Sequence, residues 1–300
     1  MVGLGRMGGN MAQRLLRGGH TVVAFDQSAA ALAANVSEGA AGADSVADLV
    51  GRLAPPRAVW LMLPAGEVTE ASMEELGGLL APDDAIIDGG NANYKETLRR
   101  GKTLAERGIH LLDAGTSGGI WGLTEGYSLM VGGDPDVFRR LEPIFQALAP
   151  GPDRGYCRVG PTGAGHFTKM VHNGVEYGLM QAYAEGFELL QAKQDDFDLD
   201  LLAIGKTWQY GSVVRSWLLD MAVRALEEDG DLESLASYVE DSGEGRWTVN
   251  ESVELAVPTP VITAALYQRF RSRQEQPFSG RMLAALRNQF GGHAVRNIEP

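Results

Sequence analysis

Through its first half the chain alternates short apolar or β-branched runs with helical stretches: HTVVAFD at 20–26, RAVWLMLP at 57–64, DAIIDGGN at 84–91, IHLLDAG at 109–115 and YSLMVGG at 127–133. Strands separated by helices predict βαβ units and a mostly parallel, doubly wound sheet. Turn residues follow nearly every run, namely Pro64, Gly89 with Gly90, Gly115, and Gly132 with Gly133. In such sheets ligands bind outside the carboxyl ends of the strands, where these turns lie. After YCRVG and PTGAG the spacing becomes helical from Gly165 almost to the end. A helix over 165–191 would be about 40 Å long at 1.5 Å per residue.

The 300 residues exceed one comfortable core, so two packed units are expected, with a boundary near residue 160. With 44% apolar and 22% charged residues the chain is an ordinary globular one. A net charge of -13 argues against a duplex or an anionic membrane as partner, since both need clustered Lys and Arg. Any anionic ligand must be met by a local basic cluster. The single cysteine, Cys157, cannot form an intrachain disulfide, fits a reducing cytosol, and is expected to be a small buried residue. No apolar run reaches the 18 residues of a membrane helix and no charged leader precedes a hydrophobic segment, so a cytoplasmic location is expected.

GLGRMG sets Gly3, Gly5 and Gly8 between a strand remnant and a helical stretch. Glycines allow a tight turn and let the backbone approach a pyrophosphate seated on the helix N-terminus. Only Met1 and Val2 precede Gly3, so several residues of a central strand are expected to be missing from the chain as given. The glycine pattern alone is weak; Asp26 strengthens it, at the end of the second strand and 18 residues beyond Gly8, where a carboxylate would bind ribose hydroxyls. The alternative for Asp26 is a turn or helix-capping residue. Together these features predict an α/β protein, with a Rossmann-type doubly wound sheet over 1–160 and an all-α domain over 161–300. Gly3, Gly5, Met7, Gly8, Asp26 and Asn91 are the expected cofactor contacts. No Arg or Lys follows Asp26 in QSAAALAAN to receive a 2′-phosphate, which favours NAD over NADP.

GHFTKMVHNGVEY, residues 165–177, places four polar groups on one helical arc. At about 100° per residue, with Lys169 at zero, Asn173 falls near 40°, Glu176 near -20° and His172 near -60°. Phe167, Met170, Val171, Val175 and Leu179 cover the other sides, which predicts a substantially buried helix whose polar stripe faces something polar. The alternative is a surface salt-bridged stripe.

KMVHNGVEY, with DAGTSGG at 113–119, GGN at 89–91 and RNQFGGHAV at 287–295, resembles the 6-phosphogluconate dehydrogenases of the short-chain type, within the β-hydroxyacid dehydrogenase superfamily. The resemblance runs from Val2 to about Val295. It implies oxidation of 6-phosphogluconate at C3, loss of carbon dioxide and reprotonation of the enediol to ribulose 5-phosphate, with Lys169 as general base and Glu176 as general acid. By the same resemblance Asn173 and His172 hold the reacting hydroxyls, Ser117, Gly118 and Gly119 the carboxylate end, and Asn91 lies between cofactor and substrate. Tyr177, Arg246, Thr248, Arg287 and His293 are the further substrate contacts implied, and one arginine of RFRSR, taken as Arg273 among Arg269, Arg271 and Arg273, is expected to join them. The C-terminal segment would enter the active site of a neighbouring subunit, making the chain a dimer or tetramer.

As a base, Lys169 must release its proton near neutrality from an ordinary value of about 10.4, a shift worth roughly 4 kcal/mol. No cluster of His, Cys and carboxylates has metal-ligand spacing, so no metal is expected. The chain departs from the long-chain members of the family: it lacks their second helical repeat, carries Ile120 and Trp121 where they have acidic residues, and has Arg246 where they have lysine. Two other readings remain open: a dehydrogenase for a 3-hydroxyisobutyrate-like or tartronate-like acid without a phosphate, and an inactive NAD-binding sensor.

Overall fold

A computed structural model describes residues 1–296. It divides into two compact units, Met1–His172 and Asn173–Pro300. The first holds seven strands: β1 (Val23–Ala24), β2 (Ala41–Gly42), β3 (Ala58–Leu61), β4 (Ala85–Asp88), β5 (His110–Ser117), β6 (Ser128–Gly132) and β7 (Tyr156–Gly160). Strands β3 to β7 form one sheet in sequence order, and β1 pairs with β2. Val2 bridges Phe25 on one side and Leu61 on the other, both in parallel, and so joins the two sets of strands. All pairings between named strands are parallel except β5 with β6. The chain winds outward from Val2 first to β1 and β2, then returns to β3 and β4 on the other flank. Val2 is therefore the point where strand order reverses, the place where doubly wound sheets bind their ligands.

Each central strand is apolar at consecutive positions because both faces of the sheet are covered. Trp60, Ile87 and Leu112 pack into one cluster with Met11 and Leu15 of the helix Arg6–Arg17 and with Phe138 and Phe145 of the helix Pro135–Leu148. Their neighbours Val59, Ile86 and Leu111 turn the other way, against Leu49, Met73, Leu76 and Leu104 from the helices Val46–Gly51, Glu67–Leu79 and Tyr94–Ala105.

Two expectations are corrected. Cys157 is exposed rather than buried. It lies on β7, at the sheet's edge, where Tyr156 and Arg158 are half-buried while Cys157 and Val159 alternate outward. The long helix Ala164–Gln191 forms as expected, with Met170 buried and Phe167 half-buried, but three of its other apolar positions are left uncovered. The polar residues Lys169 and Asn173 are buried, whereas Val171, Val175 and Leu179 are exposed, Val175 to 49%. At about 100° per residue these three recur every four positions and share one stripe.

The second unit is helical, with helices Leu201–Trp208, Trp217–Glu228, Glu244–Glu254, Pro260–Ser272 and Phe278–Gly291. Tyr177, Ala265 and Leu266 form a small buried cluster there, with Val249 and Phe270 packed against it. Phe278, Met282, Leu283 and Leu286 of the helix Phe278–Gly291 are exposed.

Candidate active site

The glycines after Val2 divide their labour by what surrounds them. A Cβ on Gly3 would stand 2.4 Å from the Met62 carbonyl, and its φ of +88° suits glycine. A Cβ on Gly8 would stand 2.0 Å from the Gly3 carbonyl. Gly3 thus makes the turn, and Gly8 lets the helix Arg6–Arg17 pack against it. Gly5, at the cap of that helix, would meet nothing within 4 Å. An open cradle at a helix N-terminus, where backbone N–H groups point outward, suits a pyrophosphate. Met7, one position into the helix, packs half-buried against the core.

Asp26 follows the adjacent strand β1, just after the bridge residue Phe25, and is half-buried. One carboxylate oxygen accepts the Leu4 N–H at 2.6 Å, which ties it to the glycine loop, and the other accepts Ser28 N–H at 2.7 Å. The turn role and the loop role therefore coexist. Each oxygen keeps a second lone pair for a ribose hydroxyl.

Two further loops follow strands β4 and β5. After β4, Gly89 and Gly90 pass under neighbours so close that a Cβ would stand 2.3 Å from Trp60 Nε1 and 2.6 Å from the Leu63 carbonyl. Gly90 N–H donates to Asp88 at 3.1 Å, and Asn91, the next residue, is exposed. After β5, Ser117 leads into Gly118 and Gly119, with φ of +127° and +51°. The loop that follows is fastened to the glycine-loop helix, since Asn10 donates to the Ile120 carbonyl at 3.5 Å and Arg14 to that of Leu123 at 3.2 Å; Arg14 also reaches the Ala147 and Ala149 carbonyls at the end of the helix Pro135–Leu148, at 3.3 and 2.6 Å.

The long helix starts on this sheet through close backbone approach. Asp113 of β5 supplies its cap from outside the helix, accepting Gly163 N–H at 2.6 Å and His166 N–H at 2.7 Å. A Cβ on Gly165 would stand 2.2 Å from the Asp113 carbonyl, and one on Gly115 would stand 2.4 Å from Lys169 Cβ. These glycines seat Lys169 directly beside β5, with 6% of its surface exposed. His172 is half-buried one turn further on.

In the second unit the same helix carries Asn173, buried, and Glu176, half-buried. The Tyr177 ring is buried, its hydroxyl accepts Ser242 N–H at 3.0 Å, and the Arg269 guanidinium lies 3.5 Å from the ring centroid. Thr248 is buried against Gly174 and donates its hydroxyl to the Glu244 carbonyl at 2.9 Å. Arg246 and Arg273 both pair with the buried Asp241, Arg246 at 2.7 Å, and both stack on Phe270. The Arg246 and Arg273 contacts hold the Asp241 carboxyl well below the usual range. Arg271 is exposed and donates locally to the Gln274 carbonyl at 2.6 Å. Arg287 lies exposed on the helix Phe278–Gly291, and the His293 carbonyl accepts Asn288 Nδ2 at 2.9 Å.

Sequence reading missed Asp88, Asp113 and His166. His166 falls near 60° on the wheel centred on Lys169, so the polar arc itself carried the signal. Asp113 was hidden, because its partners lie 50 and 53 positions away. Among the described residues no group of three His, Cys, Asp or Glu side chains could hold a metal ion, and no helix is long and apolar enough to cross a membrane.

Two protein-family models match the chain. Residues 1–160 match the NAD binding domain of 6-phosphogluconate dehydrogenase, and residues 165–284 match the C-terminal domain of 6-phosphogluconate dehydrogenase. The NAD(+)-dependent, decarboxylating 6-phosphogluconate dehydrogenase of Haloferax volcanii is 48% identical over 296 residues, 98% of this chain and 97% of that one. The NADP(+)-dependent decarboxylating enzyme of Bacillus subtilis is 34% identical over 288 residues, 92% of this chain and 61% of its own length. Among solved structures, Plasmodium falciparum 6-phosphogluconate dehydrogenase superposes with a TM-score of 0.83 at 25% identity, over 100% of this chain and 66% of that one. A 3-hydroxyisobutyrate dehydrogenase of Mycobacterium tuberculosis shares the fold, with a TM-score of 0.72 at 22% identity over 91% of this chain and 92% of that one.

Proposed function

The chain belongs to the 6-phosphogluconate dehydrogenase family of oxidoreductases, and from that premise we propose that it oxidises and decarboxylates 6-phosphogluconate with NAD. The observation that carries the reading is the burial of Lys169 beside Gly115, on a helix whose next turns bring Asn173 and Glu176 onto the same arc. A lysine sunk this far at a strand's carboxyl end is costly to the fold and has a ready use as a base.

Bound at Gly3, Gly5 and Gly8, NAD supplies the acceptor for the C3 hydride. Lys169 takes the proton of the C3 hydroxyl, leaving a β-keto acid whose carboxylate departs as carbon dioxide. The ammonium so formed stabilises the enolate oxygen as charge grows there. Glu176 delivers a proton to the carbon that lost the carboxylate, which gives ribulose 5-phosphate. His172 and Asn173 orient the sugar hydroxyls, and Ser117, Gly118 and Gly119 bind the carboxylate end through the serine hydroxyl and backbone N–H groups. Asn91 stands between cofactor and sugar. Tyr177, Thr248, Arg246, Arg273, Arg287 and His293 form the phosphate end, where forked guanidinium contacts suit a phosphate. Asp26 accepts the ribose hydroxyls and repels a 2′-phosphate, which sets the preference for NAD.

Residues 1–160 then serve as the cofactor domain and 161–300 as the substrate and dimerisation domain. The exposed stripe of Val171, Val175 and Leu179 supports self-association, as does the exposed apolar face of the helix Phe278–Gly291, whose Arg287 and His293 would complete a neighbouring copy's site. Substrate comparison tests the reading: reduction at 340 nm with 6-phosphogluconate and NAD, with NADP, and with an unphosphorylated 3-hydroxy acid. Turnover only with the phosphorylated acid and faster with NAD is expected. Oxidation of the unphosphorylated acid alone would remove the arginine assignments.

A further inference from the structure

Asp241 takes no part in the reaction steps, yet its side chain is 2% exposed and engages two arginines of the second unit at once. Arg246, in the first turn of the helix Glu244–Glu254, forks onto it, with Nε donating to one oxygen at 2.7 Å and Nη2 to the other at 3.1 Å. Arg273, which caps the helix Pro260–Ser272, donates through Nη2 to the same oxygen that Arg246 Nη2 reaches. Both guanidinium groups lie over the Phe270 ring, 4.8 and 5.5 Å from its centroid. Two like charges over one ring repel each other, and the carboxylate they share offsets that repulsion.

The segment that carries Asp241 is itself tied down residue by residue. Val239 N–H donates to Ser272 Oγ at 3.0 Å, and the Val239 carbonyl accepts Arg273 Nε at 3.0 Å. The Glu240 carbonyl accepts Arg269 Nη1 at 2.9 Å, and Ser242 N–H donates to the Tyr177 hydroxyl at 3.0 Å. A carboxylate fixed in this way can fix what it touches.

An arginine carries more donors than one carboxylate can take, in a rigid planar fork. Arg246 engages Asp241 through Nε and Nη2, and its Nη1 has no hydrogen-bond partner among the described residues, on a side chain 54% exposed. Arg273 uses Nε on the Val239 and Arg269 carbonyls and Nη2 on Asp241, and its Nη1 is likewise without a partner among the described residues. Two guanidinium groups anchored on one carboxylate, each with donors to spare, suit the several oxygens of one phosphate. For stability alone a buried ionic cluster is often matched by apolar residues of similar size, so the arrangement asks for another use.

We propose that Asp241 is a positioning residue for the substrate's phosphate: it holds Arg246 and Arg273 in their binding orientation before the ligand arrives, and it selects arginine over lysine at position 246, because only a fork can be held at two points and still present donors to an anion. The inference rests on the reading that these arginines form the phosphate end. Fixing them in advance removes an ordering cost from binding. A nearby carboxylate also repels a phosphate, so the sign of its effect separates a positioning group from a competitor.

The test is the steady-state kinetics of Asp241→Asn, Arg246→Ala and the double variant, with inorganic phosphate as a competing probe. In Asp241→Asn the KM for 6-phosphogluconate and the inhibition constant of inorganic phosphate are expected to rise about ten-fold, with kcat within about two-fold of wild type and KM for NAD unchanged. A merely structural loss would lower kcat as well and would follow thermal stability. Because Asp241 acts through Arg246, adding Asp241→Asn to Arg246→Ala should raise KM by clearly less than it does alone. Should Asp241→Asn fail to fold, Arg246→Lys, at an exposed position, breaks the same fork while keeping the charge, and KM should rise about five-fold. Unchanged or lowered constants in Asp241→Asn, additive effects in the double variant, or a wild-type KM in Arg246→Lys overturns the inference. If Arg246→Ala itself left both constants unmoved, the phosphate assignment would fall; raised constants in Arg246→Ala beside unmoved ones in Asp241→Asn sink only the role of Asp241.

Discussion

At the scale of single residues, two glycines separate the demands of the fold from those of the ligand. A methyl at Gly115 would stand 2.4 Å from Lys169 Cβ and 2.7 Å from the Gly165 carbonyl, so Gly115→Ala must push the long helix off β5. Overpacking of this kind costs about 1–3 kcal/mol, and denaturant unfolding should show that loss together with a fall in kcat. A methyl at Gly5 meets nothing within 4 Å, and its φ of -58° suits alanine. Gly5→Ala should leave unliganded stability unchanged or raise it by about half a kcal/mol, while NAD binding weakens roughly ten-fold as the cradle fills. Calorimetric titration of that variant with NAD is the check, and unchanged affinity would remove the pyrophosphate from this loop. Lys169, His172, Asn173 and Glu176 were legible in the sequence because helical spacing is local. What was misjudged is the far side of that helix, where Val171, Val175 and Leu179 are exposed, because the sequence shows which residues share an arc but not which arcs meet protein.

At the scale of elements, charge holds neighbouring helices in the first unit. Glu70 of the helix Glu67–Leu79 bonds Arg99 at 2.5 Å and Arg100 at 2.7 Å, both from the helix Tyr94–Ala105. Those contacts, Arg99 first, draw its carboxyl down from 4.5 to about 2. A carboxyl lowered on folding contributes stability that is present above its unfolded value and lost as pH falls towards the folded one. Stability should therefore decline between pH 4.5 and 2 in part through Glu70, and Glu70→Gln should flatten that stretch of the profile. Thermal melts across the range decide it; an unchanged acid limb would show the exposed pair to be ornamental. The strand runs were readable because sheets covered on both faces leave continuous apolar segments. The short strand β2 was not, since two residues carry no periodicity, and the capping of the long helix by Asp113 depends on a contact between distant segments.

At the scale of the whole molecule, the apolar stripe of Val171, Val175 and Leu179 is wide open in the chain described. If this stripe lies between copies, Val175→Asp should shift sedimentation towards monomer and lower activity with it. Complementation tests the C-terminal assignment directly. Lys169→Met and Arg287→Ala chains, each inactive alone, should regain roughly a quarter of wild-type activity when unfolded and refolded together, because one of the two sites in a mixed dimer is intact. No recovery would confine Arg287 to its own chain's site. The tail's partner was suggested only by the resemblance, and the stripe could not be assigned one from sequence, since exposure is a property of the folded chain.

The central claim is that the arc of Lys169, Asn173 and Glu176 is the catalytic face of a decarboxylating oxidation. The most direct measurement is the carbon dioxide released per NADH formed from 6-phosphogluconate, with rates for wild type, Lys169→Met and Glu176→Gln. One carbon dioxide per NADH in the wild type, and losses of about a hundred-fold or more in both variants, are the predicted results. Undiminished turnover in either variant, or NADH formed without carbon dioxide, would contradict the account.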